Sequence, residues 1–299
     1  MKCRGWVGVA VFCLSVQAQA SDAGSVLLSK MNNALRGLDY SGILVHIKGD
    51  VVNTLQVTHR VEDGVEREVV TSLNTDASTV SNERPSFSLA TVPYPIESMK
   101  KVYSLDVGAV KKVAQRSCQI VVARPKDKMR YLQRYCIDTQ TGLPLSYSLI
   151  NNKHKIVERF AFTQIEVDEV SGSEIALAPA AENRVMLSSV SRPERVLQGD
   201  WELLELPEGF HFGQLSPSQQ ADMQKDVDTE YFVLTDGLSS VSVFICPIDA
   251  TQPSTASMMN SGALNVLTSQ KNKHRITLVG EVPRSTMQRI FSNLKYRGK

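Results

Sequence analysis

The sequence predicts an α+β fold in two domains, with antiparallel strands as the main element. Three observations lead to this prediction: a helical apolar pattern near the N-terminus, a long series of alternating strand patterns, and a lapse of the apolar pattern between Ala180 and Gly199. The strand patterns follow one another through short turns, without the strand–helix alternation of a parallel sheet. A length of 299 residues is compatible with two domains.

Residues 1–20 have the pattern of a cleaved signal peptide. Two basic residues precede the apolar stretch Trp6–Val16, and Ala18-Gln19-Ala20 gives the small-x-small pattern of a cleavage site. The apolar stretch is too short to span a bilayer. Phe12, directly before Cys13, is too large for a lipoprotein cleavage site. We therefore expect a soluble exported protein.

The chain without this segment has no net charge. Residues 1–20 contain two of the 33 basic residues and none of the 31 acidic ones, so 31 of each remain. A neutral protein has no overall attraction for nucleic acid, and no basic stripe with interleaved aromatic residues is present. We expect no nucleic-acid partner.

The N-terminal domain, predicted over residues 21–185, begins with an amphipathic helix at Ser25–Arg36. Alternating strands follow, with turns at Gly49-Asp50 and Asp63-Gly64. The predicted strands are Ile43–Ile47, Leu55–His59, Glu66–Leu73, Cys118–Arg124, Met129–Ile137, Leu145–Ile150 and Ile156–Ile165.

A linker is predicted over residues 186–199, and a smaller α+β domain over residues 200–299. The linker is rich in Ser, Arg and Pro, whereas strand patterns resume at Trp201. Apolar residues at helical spacing after Pro283 predict a C-terminal helix. The predicted strands are Trp201–Leu206, Tyr231–Leu234, Val241–Ile245 and Arg275–Val279, and the apolar helix residues are Met287, Ile290, Phe291 and Leu294.

No catalytic pattern stands out. Ser98-Met99-Lys100-Lys101 matches the Ser-x-x-Lys pattern of penicillin-recognising enzymes, but a Lys-Thr-Gly partner is missing, and a charged helix turn is the better interpretation. The five histidines are scattered without metal-ligand spacing. We expect neither an enzyme nor a metal or other cofactor.

Three cysteines remain after residue 20: Cys118, Cys136 and Cys246. Folding the predicted hairpin about Asp127 places Cys118 opposite Cys136, where a disulfide can form in an oxidising compartment. Two buried thiols are the alternative. Cys246 belongs to the other predicted domain, so we expect it to stay free.

Several segments together match a known family in their order and spacing. The second half contains Asp236–Phe244, Leu206–Phe210 and Val279–Pro283, with Gly262-Ala263 between them; the first half contains Pro125–Tyr131 and Asp138–Leu145. In these segments the chain resembles the MucB/RseB family. It departs from the family pattern at Leu132-Gln133, where members often have Gly-Tyr, and at Lys112, where Arg is common.

The resemblance implies a periplasmic protein that holds the periplasmic part of an anti-sigma factor of the RseA/MucA type. Such proteins shield this partner from site-1 proteolysis, and lipid or lipopolysaccharide fragments release it. The implied N-terminal domain is an open, strongly curved antiparallel half-barrel covered by helices, similar to LolA-type lipoprotein carriers. A periplasmic lipid or lipoprotein carrier is therefore the alternative function, and a homo-oligomer stays open.

Two sets of site residues follow from this resemblance and from the strand patterns. The first is a candidate lipid pocket on the N-terminal strands, where the alternative is a face that simply belongs to the core. The second is a strand edge in the C-terminal domain that would hold the partner, where the alternative is a hairpin internal to the sheet. The pocket candidates are Ile43, Val45, Ile47, Leu55 and Val57, and the partner-binding candidates are Tyr231, Val233, Val241 and Val243.

Overall fold

The computed structural model describes residues 17–62, 65–74, 96–168, 200–213, 229–248 and 256–298. The predicted linker, the turn at Asp63-Gly64 and most of the predicted signal peptide lie outside these residues. The first-half elements are α1 (Gln17–Gly37), β1 (Tyr40–Lys48), β2 (Val51–Glu62), β3 (Val65–Ser72), α2 (Ile96–Val102), β4 (Tyr103–Val113), β5 (Arg116–Pro125), β6 (Leu132–Asp138), β7 (Pro144–Ile150) and β8 (Ile156–Val167).

Strands β1 to β8 form one antiparallel sheet in the order β3-β2-β1-β8-β7-β6-β5-β4. Strand β4 also approaches β8, although it stands four places away in this order. In a flat sheet the two strands would be about 19 Å apart at the usual strand spacing. The sheet is therefore strongly curved, and its two edge strands, β3 and β4, do not pair with each other. This is the half-barrel that the family resemblance implies.

Helix α1 covers one face of the half-barrel because its apolar residues recur at helical spacing. Leu28, Met31 and Leu35 are buried against sheet residues such as Leu44 and Phe160. The predicted helix at Ser25–Arg36 is confirmed, but α1 begins earlier, at Gln17. The covered face is the core of the N-terminal domain.

The second half contains one six-stranded antiparallel sheet, one helix and a two-stranded sheet. The six-stranded order is β10-β11-β12-β15-β14-β13, and β16 pairs with β9. The elements are β9 (Trp201–Leu203), β10 (His211–Phe212), β11 (Glu230–Thr235), β12 (Ser240–Pro247), β13 (Ser257–Ser261), β14 (Leu264–Lys271), β15 (His274–Gly280), α3 (Arg284–Asn293) and β16 (Leu294–Tyr296).

The C-terminal helix packs on this sheet as its spacing predicts. Met287 and Ile290 of α3 are fully buried against the inner face of the sheet, which includes Val243 and Leu278. Leu294 is also buried, but it begins β16 and does not belong to the helix. The α+β class is confirmed for both halves. The strand patterns missed β4, β10, β13 and β14, whereas the charged helix turn expected at Ser98–Lys101 lies in α2.

Cys118 and Cys136 form a disulfide, with their Cα atoms 5.2 Å apart. The register differs from the one predicted by folding the hairpin about Asp127: Cys118 pairs with Asp138, and Cys136 pairs with Ile120. The predicted register was therefore wrong by two residues. Because side chains alternate between the faces of a strand, a shift of two leaves both cysteines on the same face. Both are buried, and Cys246 is a free cysteine.

We expect exactly one cysteine to react when the purified exported protein is denatured and alkylated without reduction, because two of its three thiols are joined. Mass spectrometry of the intact and digested protein measures this, with Cys246 carrying the label. Replacing Cys118 and Cys136 together by Ala should lower the free energy of unfolding by about 2–4 kcal/mol. Three labelled cysteines would contradict the disulfide.

Candidate functional site

The five predicted pocket residues do not share one face of the half-barrel. Leu55 and Val57 are buried on the face that α1 covers, and Leu55 pairs with the buried Leu44 of β1. Side chains alternate along a strand, so the residues on either side of Leu44 point to the opposite face. This corrects the predicted set, because three of its members lie on the opposite, partly exposed face: Ile43, Val45 and Ile47.

The four predicted partner-binding residues are also divided. Val241 and Val243 are fully buried in the core of the C-terminal domain, so neither can contact a partner from the surface. Strand β12, which carries them, is an inner strand between β11 and β15. Tyr231 and Val233 of β11 point to the other face and are half-buried. The prediction is therefore wrong for the two valines of β12, and it stays a prediction for the two residues of β11.

The two domains meet at a buried arginine, Arg130, in the loop between β5 and β6. Its side chain is fully buried and forms ion pairs with Asp127 of its own loop and with Asp236 of the C-terminal domain. Its guanidinium also donates a hydrogen bond to the backbone oxygen of Glu208. The charge lies over two aromatic rings, at 5.7 Å from Tyr103 and 4.8 Å from Phe210. Each domain thus supplies one acid and one ring to the same cation.

Asp236 is the matching buried acid. It has no exposed side-chain surface, and its carboxylate accepts a hydrogen bond from Tyr103 at 2.9 Å as well as from Arg130. Its other oxygen accepts the backbone N–H groups of Leu238 and Ser239, at 3.0 and 2.8 Å. One carboxylate therefore shapes the turn between β11 and β12 and also binds the half-barrel.

The electrostatics of this contact favour a charged Arg130 and a neutral Tyr103. Burial and the negative charge of Asp236 raise the pKa of the Tyr103 hydroxyl well above its ordinary value. Burial alone would lower the pKa of Arg130, but the negative charges of Asp236 and Asp127 contribute to a net rise. The contact is thus a charged pair within a buried polar cluster, which is costly to disrupt.

Gln133 of β6 extends the interface toward the aromatic interior of the half-barrel. Its amide nitrogen donates to the backbone oxygen of Leu238 and to Ser239 Oγ, both at 3.1 Å. Its amide oxygen accepts hydrogen bonds from Tyr135 and Tyr147. Because Leu238 itself packs on the N-terminal core, the β11–β12 turn is inserted into the half-barrel.

The interface residues come from the segments that carry the family resemblance. Arg130 lies in Pro125–Tyr131, and Asp236 begins Asp236–Phe244. Gly209, in Leu206–Phe210, has a φ of +80°, and an added Cβ there would come within 3.0 Å of the Arg130 guanidinium. None of these residues was expected at an interface from the sequence. The sequence did contain a signal: two residues of opposite charge, Arg130 and Asp236, lie in two separate motifs.

The described residues contain no group of three or more His, Cys, Asp or Glu side chains able to hold a metal ion. The Ser98–Lys101 segment lies in helix α2. None of the described helices has the length and the apolar character that a membrane crossing requires.

The fold and the interface define the class of protein: this chain has two domains, a half-barrel and a small α+β domain, which meet through a buried polar interface. The family description of the MucB/RseB N-terminal domain matches residues 23–90 and 75–186, and that of the MucB/RseB C-terminal domain matches residues 196–295. The chain belongs to the MucB/RseB family.

Two relatives align with nearly the whole chain. The sigma-E factor regulatory protein RseB of Escherichia coli (strain K12) is 29% identical, over 94% of this chain and 93% of that protein. The sigma factor AlgU regulatory protein MucB of Pseudomonas aeruginosa is 27% identical, over 93% of this chain and 92% of that protein. The structure of the Pseudomonas aeruginosa MucA/MucB complex shares the fold, with a TM-score of 0.66 at 24% identity over 93% of this chain and all of that one.

We expect Asp236→Asn to destabilise the protein by about 3–5 kcal/mol, because it removes one charge of a buried ion pair and leaves Arg130 undercompensated. Urea unfolding followed by circular dichroism measures this. Arg124→Met is the control, since Arg124 and its partner Asp106 are both more than half exposed and such a pair contributes at most about 1 kcal/mol. Equal effects of the two substitutions would contradict the role of Asp236.

Proposed function

We propose that this chain is a periplasmic regulatory protein that binds the periplasmic part of a membrane anti-sigma factor of the RseA/MucA type. In this role it shields the partner from site-1 proteolysis until a lipid or lipopolysaccharide signal releases it. The observation that carries the proposal is family membership in both domains. It is supported by relatives that are named as sigma factor regulatory proteins over more than nine-tenths of this chain. A crystal structure of MucB in complex with MucA(peri) adds to this support.

The second domain favours a regulator over a lipid carrier. A carrier built on the half-barrel alone would have no need of the C-terminal sheet or of an arginine buried between the domains. The Arg130–Asp236 pair ties the two domains together at the point where the β11–β12 turn enters the half-barrel. Such a connection suits a protein in which a ligand bound to one domain changes the affinity of the other domain for a partner.

The open part of strand β11 is our candidate for the partner contact. Among the described residues, β10 pairs only with Leu234 and Thr235, and Gly213 donates a further hydrogen bond to the Val233 oxygen at 2.8 Å. Backbone groups alternate between the two sides of a strand, so those of Tyr231 point to the same side as those of Val233. An extended segment of the partner could continue the sheet along this edge.

We expect Tyr231→Glu to weaken binding of a synthetic anti-sigma periplasmic segment at least tenfold, about 1.4 kcal/mol. The reason is that a charge replaces an aromatic side chain beside the proposed edge. Isothermal titration calorimetry with the full exported protein measures the affinity, and circular dichroism checks the fold. Val69→Glu on the exposed edge strand β3 is the matched control. If the wild-type protein binds no segment at all, the proposed function is wrong. Unchanged binding by Tyr231→Glu places the contact elsewhere.

A lipid could act on this contact through the inserted turn. The rings of Phe160, Tyr147 and Tyr135 follow one another in the half-barrel, with centroids 5.8 and 4.9 Å apart. The two tyrosines bind Gln133, which binds the turn at Leu238. An acyl chain that enters the core face would compete with Leu238 and displace these rings. It would thereby favour an arrangement in which the turn is undocked.

We expect dihexanoylphosphatidylcholine, used as a soluble acyl probe, to weaken partner binding at least tenfold in the wild-type protein. Leu238→Ala should bind the partner more weakly without the probe and respond less to it, because its turn is already loosened. Titration calorimetry at fixed pH and salt measures both effects. Leu204→Ala is the control, since Leu204 is a 44% exposed leucine of the same domain. If the probe leaves the affinity unchanged, the proposed release is wrong.

A further inference from the structure

His59 of β2 carries a ring nitrogen inside the half-barrel to which no described group is bonded. The side chain is 2% exposed, and its ring stacks on that of Tyr40, with centroids 5.0 Å apart. Its Nδ1 lies 2.8 Å from the backbone oxygen of Leu38, just after α1. Its Nε2 is buried and has no hydrogen-bond partner among the described residues. Such atoms are rare in folded proteins, because a buried polar group without a partner costs free energy.

The hydrogen bond to Leu38 decides what His59 Nε2 can bind. A carbonyl oxygen only accepts, so Nδ1 is the nitrogen that carries the proton. In the neutral ring Nε2 then has a lone pair and accepts a hydrogen bond. A protonated ring would instead bury a positive charge, and no acid of the described chain is bonded to Nε2. The unsatisfied atom is therefore an acceptor that needs a donor.

This acceptor lies on the face of the sheet that α1 covers. His59 follows Leu55 and Val57 along β2 at intervals of two residues, and both belong to the core of the half-barrel. Its Cα partners are Tyr40 of β1 and Glu68 of β3, which is an edge strand of the sheet. His59 thus borders the interior in which we propose that an acyl chain binds, one strand from an edge of the half-barrel.

His59 is far from the contact between the two domains. At that contact, His46 Nε2 is bonded to Glu158, and the other oxygen of Glu158 accepts the backbone N–H of Ala263 at 3.3 Å. Tyr40, the β1 partner of His59, lies six residues before His46. This corresponds to about 20 Å along the strand. The buried histidine near the C-terminal domain therefore has an acid as its partner, whereas the Nε2 of the distant one has none in the described structure.

Aromatic rings cover the face between these two ends. Phe162 lies edge-on to Phe160, with centroids 6.2 Å apart, and the Phe160 ring lies 5.8 Å from that of Tyr147. A Cβ added to Gly42 would lie 3.0 Å from the Phe162 ring, so this ring covers β1 at that position. An apolar chain laid along these rings would have one end beside His59 and the other toward the β11–β12 turn.

We propose that His59 Nε2 accepts a hydrogen bond from the ligand of the half-barrel, which is an acyl chain bearing a hydroxyl group or an amide N–H. This inference rests on the proposed lipid site and specifies which lipids the site prefers. A chain with only ester or ether oxygens offers further acceptors, which cannot pair with Nε2. Its binding would leave the nitrogen buried and unpaired, so it should bind more weakly.

Two probes that differ only in this donor test the proposal in the full exported protein, without any partner. Octan-1-ol and 1-methoxyheptane contain the same atoms, but only the alcohol can donate a hydrogen bond. Titration calorimetry measures both affinities. We expect the alcohol to bind about tenfold more tightly, because it alone satisfies the buried acceptor. His59→Phe keeps an aromatic ring beside Tyr40 but removes the acceptor, so the preference for the alcohol should disappear.

His274→Phe is the matched control. The Nδ1 of His274 also lies on a backbone oxygen, that of Asn272 at 2.7 Å, and its ring packs edge-on against Trp201. Because His274 belongs to the C-terminal domain, this variant should keep the preference for the alcohol. Loss of the preference there would contradict the role of His59.

If His59→Phe does not fold, ¹⁵N spectra of the wild-type histidine rings decide the question. The Nε2 resonance of His59 should move on addition of octan-1-ol, because the nitrogen then accepts a hydrogen bond, and 1-methoxyheptane should move it much less. Shifts of equal size with the two probes would overturn the proposal.

Equal affinities of the wild-type protein for the two probes would also overturn it, and would indicate that Nε2 pairs with water instead. That result would leave the proposed acyl site intact, since both probes would still bind. If neither probe binds, the acyl site is wrong and this inference fails with it. Binding of the anti-sigma segment is measured separately, so neither result decides the proposed regulatory role.

Discussion

The positive charge of a guanidinium buried between two domains must be balanced by acids and hydrogen-bond acceptors around it. Arg130 has no exposed side-chain surface, and taking such a charge out of water costs several kcal/mol unless acids and hydrogen-bond acceptors surround it. Asp127 and Tyr103 of the half-barrel supply part of that compensation. Asp236, Phe210 and the Glu208 oxygen complete it, and all three belong to the C-terminal domain. The docked arrangement is therefore the one in which this charge is satisfied.

The loop that carries Arg130 is held by the hairpin on which it is built. Strands β5 and β6 pair over Cys118–Ala123 and Gln133–Asp138, and the disulfide joins them at the end far from the loop. At that same end, Arg116 binds the buried Asp138. Because the hairpin is anchored there and in the sheet, its loop can present a charged side chain to another domain with little freedom to move.

Three features of the structure adjoin this interface. Leu238 and Gln133 connect it to the apolar interior of the half-barrel, which is the proposed site of an acyl chain. The strand that follows the turn, β12, pairs with β11, and the part of β11 that no described strand covers on its other side is the candidate partner contact. Glu158 adds a second polar contact between the domains, because its carboxylate accepts the backbone N–H of Ala263. A two-domain regulator needs such coupling, because a ligand can shift only an equilibrium whose two states it binds differently.

The sequence by itself determined the elements whose pattern is local. The helical spacing of Leu28, Met31 and Leu35 and of Met287 and Ile290 predicted α1 and α3, because a helix is defined by neighbours three and four residues apart. Gly49-Asp50 predicted a turn for the same reason. The order of short motifs was sufficient to indicate the family. The edge strand β4 was missed, since it is half exposed and its pattern is weak.

Only the tertiary structure decided which residues meet over long distances in the chain. The alternating pattern predicts that Ile43 and Leu55 belong to strands of a sheet. The pairing of β1 with β2 decided that their side chains point to opposite faces of that sheet. Val243 likewise lies in the core because helix α3 packs on its face of the sheet. Arg130 and Asp236 are 106 residues apart, and no local pattern reports such a contact. Their pairing depends on how two complete domains dock, which no single segment encodes.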